Sequence, residues 1–274
     1  MAELTVRRVI VACDAVCDIR PAVEEAAALA ARWHAALHGV FLEDENLFRL
    51  AALPFGRQIS LSSRGASESF AAADLEKLSS ALGGAMRQAL AEVAARRGLT
   101  WSFGTLRDLP TVSAMAGIEG DLLIVETAAR PFAGSWRPRS AWDQLAEEPA
   151  RPILLRRRGS VGRGIVLVLV SNGTDWERTL GAGFAMAGGD EEIVVLVGET
   201  AGVGVEAVRR SAERFAAAWG RKFQVESAAA DGSALLRSVQ RLDPSLIVMD
   251  SRGADGITMR ALMTATRCDV LLMR

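Results

Sequence analysis

The residues able to do chemistry fall at the ends of four apolar runs. Val9-Ile-Val-Ala-Cys-Asp14 ends in Asp14, and Ile165-Val-Leu-Val-Leu-Val-Ser171 ends in Ser171. Asp121-Leu-Leu-Ile-Val-Glu126 runs on into Thr-Ala-Ala129, and Ser245-Leu-Ile-Val-Met-Asp250 into Ser-Arg-Gly253. Open parallel sheets bind ligands beyond the carboxyl ends of their strands, where the strand order reverses, so these four ends are the places to look. The last is the best candidate for an anion. Ser251, Gly253 and Gly256 make a small, flexible loop entering a helix predicted over Ile257–Thr266. Backbone N–H groups at such a helix start hold a phosphate or another anion.

Catalysis has less to stand on. The two histidines, His34 and His38, have the i, i+4 spacing of a metal pair only if one helix carries both. His38 falls beyond the predicted helix end, in a strand, so each reads as a satisfied structural histidine. No catalytic residue, no metal ligand and no enzymatic activity is predicted. Cys13 is expected to pack in a buried strand as a small apolar residue. Cys17 lies in the following loop, where a thiol could react, but no neighbour in the sequence lowers its pKa. Arg130, Arg137 and Arg139 beside Trp136 read as a solvated loop. Trp33, Trp176 and Trp219 fall on helical apolar faces and read as core. After Val170 the chain reads Ser-Asn-Gly-Thr-Asp175, which is not the Gly-x-Gly-x-x-Gly of a dinucleotide site.

The elements that position these residues form an internal repeat. Each first apolar run is followed by helical spacing: Pro21–His34, with Val23, Ala26, Ala27, Leu29, Ala30 and Trp33 on its apolar face, and Asp175–Ala187, with Trp176, Leu180, Phe184 and Ala185. Pro21 suits a first helical turn, and Thr174 or Asp175 an N-cap. Strands are predicted next at Leu37–Leu42 and Ile193–Val197. Helices follow at about Ala71–Arg97 and Val205–Trp219, edge-type strands at Thr100–Phe103 and Lys222–Glu226, and short helices at Val112–Gly117 and Ser233–Arg241. The halves close on Arg151-Pro-Ile-Leu-Leu155 and Cys268-Asp-Val-Leu-Leu272. Apolar strands without alternation imply burial on both faces, hence a parallel sheet covered by helices. The fold class expected is α/β, as two tandem doubly wound parallel-sheet domains at 1–157 and 164–274, joined through Arg156–Gly164.

The halves differ in length. Asp14 and Ser171 are 157 apart, whereas Val125 and Met249 are 124 apart, so the first half carries about 33 extra residues, mostly in Glu43–Phe70. A segment of that length is a cover over the sheet edge, a lid over a cleft, or a docking segment.

Composition limits the classes of function. Thirty-two basic against 33 acidic side chains leave a formal charge of −1, which lacks the electrostatic footprint of a general nucleic-acid binder. Hydrophobic residues at 50% and charged residues at 24% describe a chain with a real core. Three cysteines, Cys13, Cys17 and Cys268, are too few and odd in number for a disulfide framework. The longest aliphatic run, Ile165–Val170, is far short of the roughly 20 residues that span a bilayer. No signal-peptide pattern opens the chain. The expectation is a cytoplasmic protein that uses neither nucleic acid nor membrane.

The tandem halves, the strand-ending Asp14, and Leu246-Ile-Val-Met-Asp-Ser-Arg-Gly-Ala-Asp-Gly256 followed by a helix and Val270-Leu-Leu-Met273 are similar to the universal stress protein family. The resemblance spans nearly the whole chain as two fused copies, apart from Glu43–Phe70. It implies an adenine nucleotide alpha hydrolase-like fold. It also implies, in nucleotide-binding members, Gly-x2-Gly-x9-Gly-Ser/Thr after the fourth strand, with the strand-ending Asp helping to hold adenosine. On this chain Gly253 and Thr264 match that motif, while Asp250 and Met263 stand where glycines are required. In the first copy Glu126 and Ala129 replace the two leading glycines. A carboxylate at the first position brings bulk and like-charge repulsion against a triphosphate. Asp14 fits in the first copy, whereas Ser171 departs in the second.

The leading expectation is a non-enzymatic stress-adaptation protein that binds an unidentified protein or small molecule and has a degenerate nucleotide site and no cofactor. The alternative is a regulatory switch in which ATP or another adenine nucleotide binds one copy, through Asp14 or through Ser251, Gly253 and Thr264. A weak ATP hydrolase ranks last, since no base or metal constellation is visible. The resemblance also implies pairing through the final strand, with the Leu154 or Leu271 edge as a candidate interface. This gives a homodimer, or a monomeric pseudo-dimer that makes the contact within one chain.

Overall fold

A computed structural model describes residues 5–53, 57–59, 67–69, 72–108, 121–127, 151–157, 163–170, 175–198, 202–228, 232–252, 262 and 268–274 of the chain. By contact density it divides into two units, Arg7–Gly120 and Met1–Val6 with Asp121–Arg274.

In the first unit β1 (Arg8–Cys13) leads to α1 (Ile19–Arg32) and β2 (Ala36–Asp44). Then come α2 (Glu45–Ala51), a hairpin of β3 (Arg57–Ile59) and β4 (Ser67–Ser69), the long α3 (Ala72–Arg97) and β5 (Trp101–Asp108). The strands run in the order β1-β2-β5, and both pairings are parallel. Val9 faces Leu37, and β2 keeps register with β5 from Leu37 and Trp101 to Asp44 and Asp108. The helix α1 buries Ala22, Val23, Ala26, Ala27 and Ala30, one stripe of small residues at helical spacing. Leu29 and Trp33, expected on that face, are only half-buried. The helix ends two residues before His34, which takes φ 53° as the chain turns into β2. Helix α3 comes close over β2 at Gly39, where an added Cβ would stand 2.1 Å from Leu90 Cδ1.

In the second unit the elements are β6 (Leu122–Thr127), β7 (Ile153–Arg157), β8 (Ile165–Val170), α4 (Trp176–Met186), β9 (Glu192–Gly198) and α5 (Val205–Trp219). They are followed by β10 (Phe223–Ala228), α6 (Gly232–Leu242), β11 (Leu246–Asp250) and β12 (Asp269–Met273). The strand order is β10-β9-β8-β11-β12-β7-β6. Every pairing is parallel except β12 with β7, where Leu271 lies opposite Leu154. The expected α/β class with a doubly wound parallel sheet holds. Residues 128–150, and the helices expected at Val112–Gly117 and Ile257–Thr266, lie outside the described residues except for Leu262, which is helical and buried.

Division by contact differs from division by repeat. By sequence β6 and β7 close the first repeat; by contact they group with the second, because β7 pairs with β12. The core of this unit is built on α4, whose residues Thr179 to Met186 are all buried. Phe184 stacks on Phe215 of α5 at 5.8 Å between centroids and meets Phe223 of β10 edge-on at 6.1 Å. Asp175 caps α4 as expected, its carboxylate accepting from the Arg178 N–H at 3.4 Å. Gly220 supplies the left-handed φ of 61° that ends α5. The Arg221 guanidinium then donates to the carbonyls of Ala187 at 3.0 Å, Gly188 at 2.6 Å and Gly189, closing the turn after α4.

Candidate functional site

Of the expected site residues, Asp14 and Ser251 are described, and they stand on two turns. The first follows β1. Asp14 is half-buried, and its Oδ1 accepts from the Val16 N–H at 3.0 Å while its carbonyl accepts from Cys17 N–H at 3.3 Å. The carboxylate is thus folded into its own turn, an Asx arrangement that fixes the loop leading into α1.

The second turn follows β11, which lies beside β8 where the strand order reverses. Asp250 is 3% exposed and Ser251 8%. Asp250 Oδ1 accepts from the Arg252 N–H at 2.8 Å and from Arg252 Nε at 3.3 Å, and Oδ2 accepts from Nη2 at 3.1 Å. The hydrogen bond from the guanidinium to Asp250, then the carboxylate's charge and that of Asp175, hold the Arg252 pKa above its usual value. Ser251 N–H donates to the Met273 carbonyl at 2.9 Å, tying the turn to the end of β12.

This pairing changes the sequence argument. A bare carboxylate at the first-glycine position would repel phosphate, but here Arg252 compensates the Asp250 charge. Both carboxylate oxygens of the buried Asp250 are engaged by Arg252. Gly253, Gly256, Met263 and Thr264 lie outside the described residues, as do Ser171, Ala129, Arg130, Trp136, Arg137 and Arg139. Glu126 is half-buried within β6, in register with Arg156.

The histidines are separated as expected, His34 beyond α1 and His38 within β2. Among the described residues no group of three or more His, Cys, Asp or Glu side chains could hold a metal ion. His38 Nδ1 lies 2.7 Å from Ser102 Oγ on β5. Burial first, and the charge of Arg8 second, push its pKa below the ordinary 6.5, against a hydrogen bond to the Ser102 backbone. The neutral ring is favoured in the folded state. Its contribution to stability is therefore complete above pH 6.5 and is lost as pH falls through the lower, folded-state value. Replacing His38 with glutamine should flatten the acid limb of a melting-temperature profile below pH 6.5; identical limbs in both proteins would refute the assignment.

A feature missed in the sequence lies in the first unit. A cavity of about 280 Å³ is lined by Glu43, Ser79, Ser80, Gly83, Gly84, Arg87, Phe103 and Thr105. Glu43 and Ser79 of this lining belong to a polar cluster: Arg107 Nε donates to Glu43 Oε2 at 2.7 Å, Ser79 Oγ to Glu43 Oε1 at 2.5 Å, and Glu76 Oε1 stands 3.7 Å from the guanidinium. The Phe48 ring of α2 lies 4.1 Å from the Arg107 guanidinium carbon, a cation–π contact. Burial would raise the Glu43 pKa, but the hydrogen bonds from Arg107 and Ser79 and the Arg107 charge outweigh it and hold the carboxyl below its usual range. At the described start of Glu43–Phe70, Glu43 extends β2 and Phe48 lies against Arg107 of the edge strand β5. The available signal was Gly83-Gly84 in a helix interior, a costly pair unless the space is needed.

No protein-family model matches the chain, and no curated protein matches it in sequence. Solved structures do. A universal stress protein from Archaeoglobus fulgidus is 13% identical with a TM-score of 0.65, the match covering 100% of this chain and 98% of that one. A protein from Pseudomonas aeruginosa assigned to the universal stress proteins is 19% identical with a TM-score of 0.55, covering 100% and 95%. The cytoplasmic domain of a prokaryotic cation chloride cotransporter is 11% identical with a TM-score of 0.55, covering 97% and 94%. The fold is therefore that of the universal stress proteins. No helix among the described residues is long and apolar enough to cross a membrane.

Proposed function

We propose that the chain is a tandem universal-stress-type protein that acts in stress adaptation by binding a protein or small molecule, without catalysis and with a degenerate nucleotide site. The observation that carries this reading is the buried Asp250 carboxylate, folded back on Arg252 at the place where the family motif needs an open glycine. The absence of a His or metal constellation from the sequence supports a binding role over a hydrolytic one. The repeat in the sequence, with the final strands β7 and β12 paired through Leu154 and Leu271, supports two fused copies and a monomeric pseudo-dimer rather than a homodimer.

Native mass spectrometry of freshly purified protein tests the reading. We expect a clean apo mass that remains apo after millimolar ATP and magnesium are added. A stoichiometric adduct of nucleotide mass would overturn it and favour the switch. The one observation on that side is Asp14, which keeps the expected carboxylate at the end of β1. An adduct lost on Asp14→Ala would place the nucleotide in the first repeat. An adduct kept there but lost on Arg252→Ala would place it in the second.

A further inference from the structure

The turn after β1 carries two thiols as well as Asp14. Cys13 closes β1 and is 1% exposed, while Cys17 is half-buried three residues into the turn beyond Asp14. Neither is in a disulfide. Their sulfurs stand 2.9 Å apart. A bonded pair lies at about 2.0 Å, so less than about 1 Å of approach separates the two thiols from a covalent link. The two hydrogen bonds to Asp14, from Val16 and Cys17, set this geometry by turning the chain so that Cys17 returns over Cys13. Val16, next to Cys17, is 70% exposed, which puts the turn at the surface.

We propose that Cys13 and Cys17 are a peroxide-oxidised dithiol, a modification site on the turn that carries Asp14. Cys17, the more accessible sulfur, attacks one peroxide oxygen as thiolate. The O–O bond breaks, and the departing hydroxide takes a proton to become water, leaving a sulfenic acid on Cys17. The Cys13 sulfur then attacks the Cys17 sulfur and the S–O bond breaks. The departing hydroxide takes the Cys13 proton as a second water. Two thiols lose two electrons and one hydrogen peroxide becomes two waters. The disulfide closes the turn on itself and fixes the backbone that presents Asp14 to any ligand beyond β1. The proposal stands whether or not a nucleotide binds there.

The test uses the full chain with hydrogen peroxide as the probe, followed by unfolding, maleimide trapping and peptide mapping. Cys268, buried at 2% exposure, is the internal control. The expected product is a Cys13–Cys17 linked peptide two hydrogens lighter than the reduced form, with Cys268 still alkylated and reacting at least about tenfold more slowly. Dithiothreitol should restore all three alkylation sites. Cys13→Ser should divert Cys17 to a sulfenic acid trapped by dimedone. If that variant fails to fold, Cys17→Ser on the exposed turn gives the second reading, and its Cys13 should resist peroxide. Over-oxidation of Cys17 with Cys13 still alkylated in the wild type, or oxidation no faster than Cys268, would overturn the proposal.

Discussion

Leu271→Arg is expected to unfold the protein or lower its melting temperature by about 6–20 °C. Leu271 is fully buried in β12 and sits opposite Leu154, itself 1% exposed, in the antiparallel pairing with β7. A guanidinium there stands between Val248 of β11 and Leu154 of β7, with no charged side chain opposite it on either strand. An uncompensated buried charge costs about 3–5 kcal/mol, and each kcal/mol moves the melting point of a domain this size by about 2–4 °C. Leu271→Ala should fall in the same direction, by about 2–5 kcal/mol, through lost burial and the cavity left behind. Thermal unfolding followed by circular dichroism reads both. An arginine variant melting within about 3 °C of wild type would mean that β12 and β7 do not pair as described.

The second large effect is overpacking at a glycine. Gly183 on α4 presses its backbone onto β8, where an added Cβ would stand 2.2 Å from Val168 Cγ2. Val168 is fully buried and β-branched, so it has little freedom to turn away. Gly183→Val should cost about 1–3 kcal/mol even though valine is the better helix former. Gly84 on α3 is the contrast, since nothing lies within 4 Å of an added Cβ there. Gly84→Ala should stabilise by about 0.5–1 kcal/mol through helix propensity. Equal responses at the two glycines, in either direction, would contradict the packing of α4 on β8.

Strands buried on both faces were legible because continuous apolar runs leave little else for the chain to do. Leu246–Asp250 and Ile165–Val170 match the predicted strands to within a residue. Strand β5 ends five residues beyond its predicted end, at Asp108 rather than Phe103, because Gly104, Thr105, Arg107 and Asp108 carry no apolar pattern. They are held by register with β2, a pairing the local sequence does not contain. The same limit hid α2, whose seven residues make sense only once Phe48 has Arg107 to lie against.

The candidate site was legible as positions and not as chemistry. Asp14 and Asp250 were visible as strand-ending carboxylates, but their hydrogen-bond partners two residues on decide what those carboxylates can do. An Asp-x-Arg sequence permits the Asp250–Arg252 pair without requiring it. The proximity of Cys13 and Cys17 was likewise hidden, because i, i+4 spacing brings side chains together on a helix, and here a turn does so instead.

The contact of Leu154 with Leu271 also has a consequence for dilution. When two separate chains share such a seam, the seam opens as their concentration falls below the dissociation constant. Here one chain holds both strands, so each meets the other at an effective concentration of about millimolar or above, set by chain length and independent of abundance. The seam therefore stays closed at one copy per cell as firmly as at thousands.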